Sequence, residues 1–329
     1  MLIKENDDRL QELAKELGNS EEYRIIRKYK KPEYYHSSSS SSTDIKKFVG
    51  AFLDIEATGL SKNKDKLIEL GIVKFEYSED GRIFKILNEF HSYQDPKVPM
   101  PEFISKLTGI DDAMVRDQNV DTVKLSKYLE DVNLIIAHNS EFDRAFFETT
   151  FPTLKPYAWA CSMRDVDWKN EGIGSLKLDY IAYQYNFFYT GHRSISDCLA
   201  SIHILSKNLP VSKTLVLKSI IDEANKLRFK LWATNAPYHT KELLKARGYR
   251  WNMENGSKHR AWAVEITEDN IETEIEYLRS EIYNGMLNID LDLINAYSRF
   301  TDKYVTDDIK YQDKIDCVLP ASLRDRSYG

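Results

Sequence analysis

Asp54-Ile55-Glu56 closes an apolar run, AFLDIE, and its two acids are spaced as a strand spaces side chains on one face. Carboxylates projecting together from the end of a buried strand repel each other and lose hydration, and a bound cation relieves both costs. A strand whose polar face meets solvent could carry the same residues. Thr58-Gly59-Leu60 follows at once, however, and supplies a tight turn whose backbone can approach a ligand beside the acids. Two further groups, His138-Asn139-Ser140-Glu141-Phe142-Asp143 and His192-Arg193-Ser194-Ile195-Ser196-Asp197, each place an acid three residues after a serine. That spacing also fits a capping box with Asp in place of Glu or Gln, so Asp143 and Asp197 have a structural reading beside the chemical one. His192 precedes its helix on a loop, where an imidazole suits a base that deprotonates water near neutral pH.

Bringing these groups together requires a sheet and helices, and the pattern supplies both. KKFVGAFLDIE reads as a buried strand, and LIELGIVKFEY and RIFKILNEFHSY read as two more, joined by the turn Glu79-Asp80-Gly81. Residues 99–115 and 121–130 look helical. NLIIAHN is a short strand feeding the helix SEFDRAFFETTF, and YAWAC at 157–161 is another strand, followed by helices over 175–186 and 194–208. A hairpin followed by β-α alternation implies an α/β fold with a mixed central sheet flanked by helices.

Leu10, Leu13 and Leu17 predict an amphipathic helix over residues 5–17, and the run Ser37–Ser42 reads as a flexible linker that places a boundary near residue 45. A second change of pattern falls near Lys226. FKLWATN reads as a strand, TKELLKARG as a helix capped by Thr240 and closed by Gly248, and the next segment as a hairpin about Asn255-Gly256. Residues 268–299 read as one or two helices. The division is therefore 1–45 as an N-terminal extension with linker, 46–210 as the main domain, 211–267 as a linker helix with a small α+β module, and 268–329 as C-terminal helices and tail.

An apolar fraction of 42% over 329 residues is ample for packed cores and excludes a disordered chain. No apolar run approaches the roughly 20 residues that span a bilayer, and the acidic N-terminus MLIKENDDRLQELAKEL is unlike a secretory signal. Three widely spaced cysteines without a CxxC pair fit reduced thiols, so a cytoplasmic protein without a zinc site is expected. The net charge of −6 excludes nothing, because carboxylates that hold metal contribute to it.

Each motif is weak and the ordered set is strong. A DxE strand end with TGL, a strand-to-helix HNxxFD and a late HRxxxD together resemble the DEDDh 3′→5′ exonucleases, which include the epsilon proofreading subunit of bacterial DNA polymerase III. Leu107-Thr108-Gly109-Ile110, Cys161-Ser162-Met163 and Ser175-Leu176-Lys177-Leu178 fall between the motifs in the family's order. The likeness covers about 46–208. A looser one, to epsilon-like bacterial proteins, takes in EEYRIIRKY, LLKARGYRWN and the EIYN segment. Ala57 stands where many relatives have Thr.

The resemblance implies a ribonuclease H-like exonuclease domain with two divalent ions, Mg²⁺ or Mn²⁺, held by Asp54, Glu56, Asp143 and Asp197, and with His192 as general base. It further implies that Thr58, Gly59, Leu60, Asn139 and Phe142 receive the terminal nucleotide, with ordinary core packing as the competing reading of Leu60 and Phe142. The implied partner is nucleic acid, DNA ahead of RNA, and nucleoside 5′-monophosphate is the product. An RNA-trimming enzyme and a silent nucleic-acid-binding fold are the alternatives, and a polymerase partner stays open. Residues 226–262 hold nine Lys and Arg against two acids, interleaved with aromatics. They suggest that Lys241, Lys245, Arg247 and Arg250 form a basic face for single strands, with Trp262 in the module's core.

Overall fold

The structure, a computed structural model, describes residues 2–36, 45–252 and 260–301. The chain forms two compact units, Met1–Glu223 and Ala224–Gly329.

In the first unit the leucine spacing produces helix α1 (Leu2–Gly18), on which Leu10, Leu13 and Leu17 remain exposed, and a short strand β1 (Arg27–Lys28) follows. Strands β2 (Lys47–Ala57), β3 (Leu67–Ser78) and β4 (Ile83–Tyr93) form the expected meander. The stretch read as helical over 99–115 breaks into α2 (Glu102–Thr108) and α3 (Asp112–Val115), and α4 (Thr122–Tyr128) forms within 121–130. Then come β5 (Leu134–Ala137), α5 (Ser140–Thr150), β6 (Trp159–Cys161), α6 (Leu178–Gln184), β7 (Phe187–Phe188), α7 (Ser194–Leu205) and α8 (Val216–Asn225).

The main sheet has the order β4-β3-β2-β5-β6, antiparallel across β4-β3-β2 and parallel across β2-β5-β6. This is the mixed central sheet expected of an α/β fold, with helices packed on it. Ala51, Phe52 and Leu53 are all fully buried although they alternate between faces, because helices cover both sides of the central strands. Helix α5 packs across β2, β5 and β6, and α7 packs across β2, β3 and β4. Parallel pairing of β2 with β5 brings their carboxyl ends side by side, so the loops after Ala57 and Ala137 open on one edge.

The boundary expected near residue 45 is not a boundary of packing. Ser37–Ser42 lies outside the described residues, but β1 pairs in parallel with β7 and everything up to Glu223 belongs to one unit. The expected division at 267/268 fails as well. In the second unit β8 (Arg228–Ala233), α9 (Lys241–Ala246), β9 (Arg250–Trp251), β10 (Trp262–Thr267), α10 (Ile271–Tyr277) and β11 (Ile289–Ile294) build one antiparallel sheet, order β11-β8-β10-β9, with its helices. Phe229, Leu231, Leu244, Ile275 and Leu278 share its core, and Trp262, Val264 and Ile266 pack against them as the alternation predicts. A sheet this small cannot bury a face without the later helix, so residues beyond 267 belong to the same fold. The last part of the supposed helical stretch, Ile289–Ile294, is a strand on β8. Its Ile-Asp-Leu-Asp-Leu-Ile alternation is a period-two signal.

Gly248 does close α9, with φ of +91°. Thr240 does not cap it, since its hydroxyl donates to the Pro237 carbonyl. The turn at Asn255-Gly256 lies outside the described residues.

Gly71 on β3 lets α7 start directly on the sheet. A Cβ there would lie 2.5 Å from Ser194 Oγ and 2.7 Å from the Ser194 backbone carbon. Gly71→Ala should therefore force the start of α7 outward and destabilise the protein by about 1–3 kcal/mol. Chemical denaturation at constant m-value measures this, and an unchanged midpoint would show that α7 has room to move.

Candidate active site

Asp54 and Glu56 stand at the carboxyl end of β2, where the register with β3 shifts between Glu56 and Ala57. Such an irregularity bends a strand and re-aims its side chains. Asp197, on the first turn of α7, meets them, and one oxygen from each of the three carboxylates lies within 4.8 Å of the others. Asp143, 4% exposed on α5, accepts the Ile55 amide at 3.1 Å, which ties it to the backbone between the two strand acids.

Neither acid on a helix acts through a serine-based capping box. Asn139 and Arg193 occupy the cap positions without side-chain bonds, and Ser140 Oγ donates to the Ala160 carbonyl instead. Asp197 Oδ2 does accept the Arg193 amide at 2.9 Å, and its Oδ1 accepts the Tyr189 hydroxyl at 3.0 Å.

Burial and mutual repulsion push every one of these carboxyls up. Asp54 rises well above the usual range through burial, then through the charges of Asp197, Asp143 and Glu56. Glu56 rises to about 8 through burial and the neighbouring Asp197 and Glu69, partly offset by Arg193. Asp143 rises to about 8 through burial, opposed by the Ile55 amide. Asp197 rises through burial, opposed by the Arg193 amide, Tyr189 and His192. Asp54 Oδ2 is buried with no hydrogen-bond partner. An orphaned carboxylate oxygen within an all-oxygen donor set fits a hard divalent cation.

His192 is exposed, with φ of +59°, in the left-handed region where a non-glycine residue carries strain. It is close enough to Asp197 to act on that carboxylate's charge. The loop after Glu56 is held from within. Asp65 accepts the Ser61 amide at 2.8 Å, and Thr58 Oγ1 accepts the Lys66 amide at 2.9 Å. Leu60 projects from it 88% exposed, which rules out core packing for this side chain. Phe142 is half-buried against Phe146 at 4.8 Å between ring centroids, and Asn139 Oδ1 is buried without a partner.

The residues expected to form a basic face lie in the second unit. Lys241 sits over the ring of Tyr238, itself 81% exposed, and Lys245 pairs with Glu242. Arg250 is exposed, whereas Arg247 is engaged by Glu274 and stacked on Tyr277.

Sequence reasoning missed Glu69 and Tyr189. Glu69, 1% exposed, is the register partner of Glu56. It accepts the Ser194 amide at 3.0 Å, two Arg193 guanidinium contacts, and a bond from His91 at 2.7 Å. Burial raises this carboxyl, but His91, the Ser194 amide and Arg193 outweigh it and hold it below the usual range. A single acid inside the buried run Leu67-Ile68-Glu69-Leu70 was the available signal. Nothing in the sequence singles out Tyr189.

Among proteins of known class, the PolC-type DNA polymerase III of Caldanaerobacter subterraneus subsp. tengcongensis is 31% identical over 176 residues, which is 51% of this chain and 12% of that protein. The PolC-type polymerase of Staphylococcus aureus is likewise 31% identical over 169 residues, 49% of this chain and 11% of the relative. The chain thus spans only a small part of the length of these relatives. A solved structure described as exonuclease X in complex with 5′ overhanging duplex DNA overlaps 53% of this chain and 98% of its own, at 19% identity and a TM-score of 0.41, a likeness too slight to weigh here. The Exonuclease (RNase_T) family model matches residues 51–205, the stretch that contains all four carboxylates and His192. Over those residues the chain therefore matches an exonuclease domain of the RNase_T family.

Proposed function

We propose that this domain is a divalent-metal-dependent 3′→5′ exonuclease that shortens single-stranded or frayed DNA ends and releases nucleoside 5′-monophosphates. The observation that carries the proposal is the convergence of Asp54, Glu56 and Asp197 around the unpartnered Asp54 Oδ2, with His192 beside Asp197. Asp54, Glu56 and Asp197 would hold one ion, with Asp143 and Asp54 serving a second. Divalent ions at such a site supply electrostatic stabilisation of charge at phosphorus and lower the pKa of water.

The chain's own groups do the rest. The exposed imidazole of His192 accepts the proton of the attacking water. The Thr58-Gly59 backbone and Asn139 bind the terminal nucleotide, Leu60 inserts beside its base, and Phe142 lines the same place. A site that needs an unstacked terminal base favours frayed or single strands. DNA is the preferred substrate because the similar relatives are named as DNA polymerases. A cytoplasmic setting fits two buried, unbridged thiols, Cys161 and Cys198, and no helix among the described residues is long and apolar enough to cross a membrane.

We further propose that the second unit adds affinity for longer strands through Lys241, Lys245 and Arg250, with Arg247 contributing least because Glu274 already holds it.

Hydrolysis of a labelled single-stranded oligonucleotide should require Mg²⁺ or Mn²⁺ and stop in chelator. Asp54→Ala should abolish turnover in a protein that stays folded, and His192→Gln should lower kcat by about 10²–10⁴-fold. Undiminished activity in chelator, or wild-type kcat in Asp54→Ala, would sink the reading.

The raised carboxyls have a consequence for stability without metal. Glu56 and Asp143 titrate near 8 when folded, but unfolded carboxyls titrate at about 4. The folded state therefore holds protons that the unfolded chain has released. Their contribution is complete below about pH 4 and is lost as pH rises through about 8. The Tm in chelator should fall across this window, less steeply in Asp54→Asn, and Mn²⁺ at pH 8 should restore it. A wild-type Tm in chelator that climbs from pH 5 to 8 relative to Asp54→Asn contradicts this.

Reversing Lys241, Lys245 and Arg250 to Glu should weaken binding of long single strands and flatten its salt dependence, leaving dinucleotide hydrolysis intact. Equal loss on long and short substrates would remove the second unit from substrate binding.

A further inference from the structure

Residues 24–35 precede the segment that the exonuclease family covers, yet they grip β7, from which the chain runs directly to His192. Arg24 donates to Asn186 Oδ1 at 2.8 Å and to the carbonyls of Tyr183 and Gln184 at 2.7 and 2.9 Å, and its guanidinium lies 4.2 Å from the centre of the Tyr183 ring. It thereby satisfies carbonyls at the end of α6 and fixes Asn186, whose φ is +62°. The Arg27 amide donates to the Asn186 carbonyl at 3.0 Å and the Tyr29 amide to the Phe188 carbonyl at 2.8 Å. This makes β1 a parallel partner of β7.

The contact continues onto α7. The Tyr29 and Tyr35 rings meet the His203 ring at 5.2 and 5.8 Å, and their hydroxyls are 3.0 Å apart. Phe187, 4% exposed, stands edge-on to the same imidazole at 4.9 Å. The segment thus clamps β7 against the helix that bears Asp197. The residue immediately after β7 is Tyr189, whose hydroxyl reaches Asp197 Oδ1, and three residues later comes His192.

We propose that residues 24–35 are a strap that completes the catalytic site, holding the 186–192 loop so that Tyr189 orients Asp197 and His192 is presented to it. Tyr189 is a positioning residue: it orients a carboxylate, as partners behind metal ligands do. This inference rests on the exonuclease reading for its kinetic half only.

Full-length variants test it. Arg27→Pro deletes the amide that bonds the Asn186 carbonyl, and Arg27→Ala gives that amide back while removing only an exposed side chain. Tyr189→Phe removes the phenol hydroxyl. Arg27→Pro and Tyr189→Phe should each weaken Mn²⁺ binding, measured by calorimetry without nucleic acid, by about 10–100-fold. On a single-stranded oligonucleotide both should lower kcat by about tenfold or more at unchanged KM. Arg27→Ala should restore both quantities. Should Arg27→Pro not fold, Arg24→Ala replaces it, with the same expected losses. Wild-type Mn²⁺ affinity in both Tyr189→Phe and the strap variant overturns the inference, as does an Arg27→Ala defect as large as that of Arg27→Pro. A wild type that binds Mn²⁺ yet cuts no oligonucleotide defeats the exonuclease reading instead, and the calorimetry still decides the strap.

Discussion

The repulsion among buried carboxylates at the end of β2 is the constraint on which the rest depends. Asp54, Glu56 and Asp197 converge to within 4.8 Å, and Asp143 lies just behind them. In a partly desolvated site such charges do not coexist at neutral pH without protons or a cation to neutralise them. The fold spends stability on this arrangement, as sites built for catalysis commonly do. What offsets the cost is placed around the cluster: the Ile55 amide on Asp143, the Arg193 amide and Tyr189 on Asp197, and the Arg193 charge beside Glu56.

Glu69 shows how the start of α7 is kept in register with the sheet. A fully buried acid opposite Glu56 would add to the repulsion, yet it is the one acid in the region held below its usual pKa. Its carboxylate is consumed by the Ser194 amide, Arg193 and His91, so it works as an anchor for α7. Gly71 allows the same helix start to approach β3 without a side chain between. Strand and helix acids therefore meet because a helix terminus is fastened to a strand, one bond at a time.

The second unit follows a different logic. Its sheet buries one face under α9 and the helix from Ile271 to Ile282, and its tryptophans divide between roles. Trp232 is fully buried and Trp262 packs on the core, whereas Trp251 stays 47% exposed at the edge strand beside Trp262. An exposed aromatic next to the exposed Arg250 suits stacking on bases, and the ion pair of Arg247 with Glu274 shows that a basic residue count overstates the free charge.

The sequence by itself determined the order and kind of most of the main elements and pointed to five candidate residues, three of which the fold brings within 4.8 Å of one another. Strand periodicity in LIELGIVKFEY, the turn at Gly81 and the helix opened after His138 are local signals, and local signals survive in one dimension. The set DxE, HNxxFD and HRxxxD carried the family likeness because its order along the chain is the order in which the fold presents it. Boundaries of packing were not legible in the same way. The serine run suggested a separate extension, but β1 returns to β7 across more than a hundred and fifty residues. The alternation in Ile289–Ile294 is a local period-two signal, but its pairing with β8, some sixty residues earlier, is not legible from it. Only the tertiary structure decided that Asp143 meets the Ile55 amide and Asp197 the strand acids in place of serine capping boxes, that Glu69 is an anchor, and that Tyr189 touches Asp197. Each of these depends on which distant backbone amide or hydroxyl a carboxylate meets, and a contact between distant segments has no period or spacing to betray it.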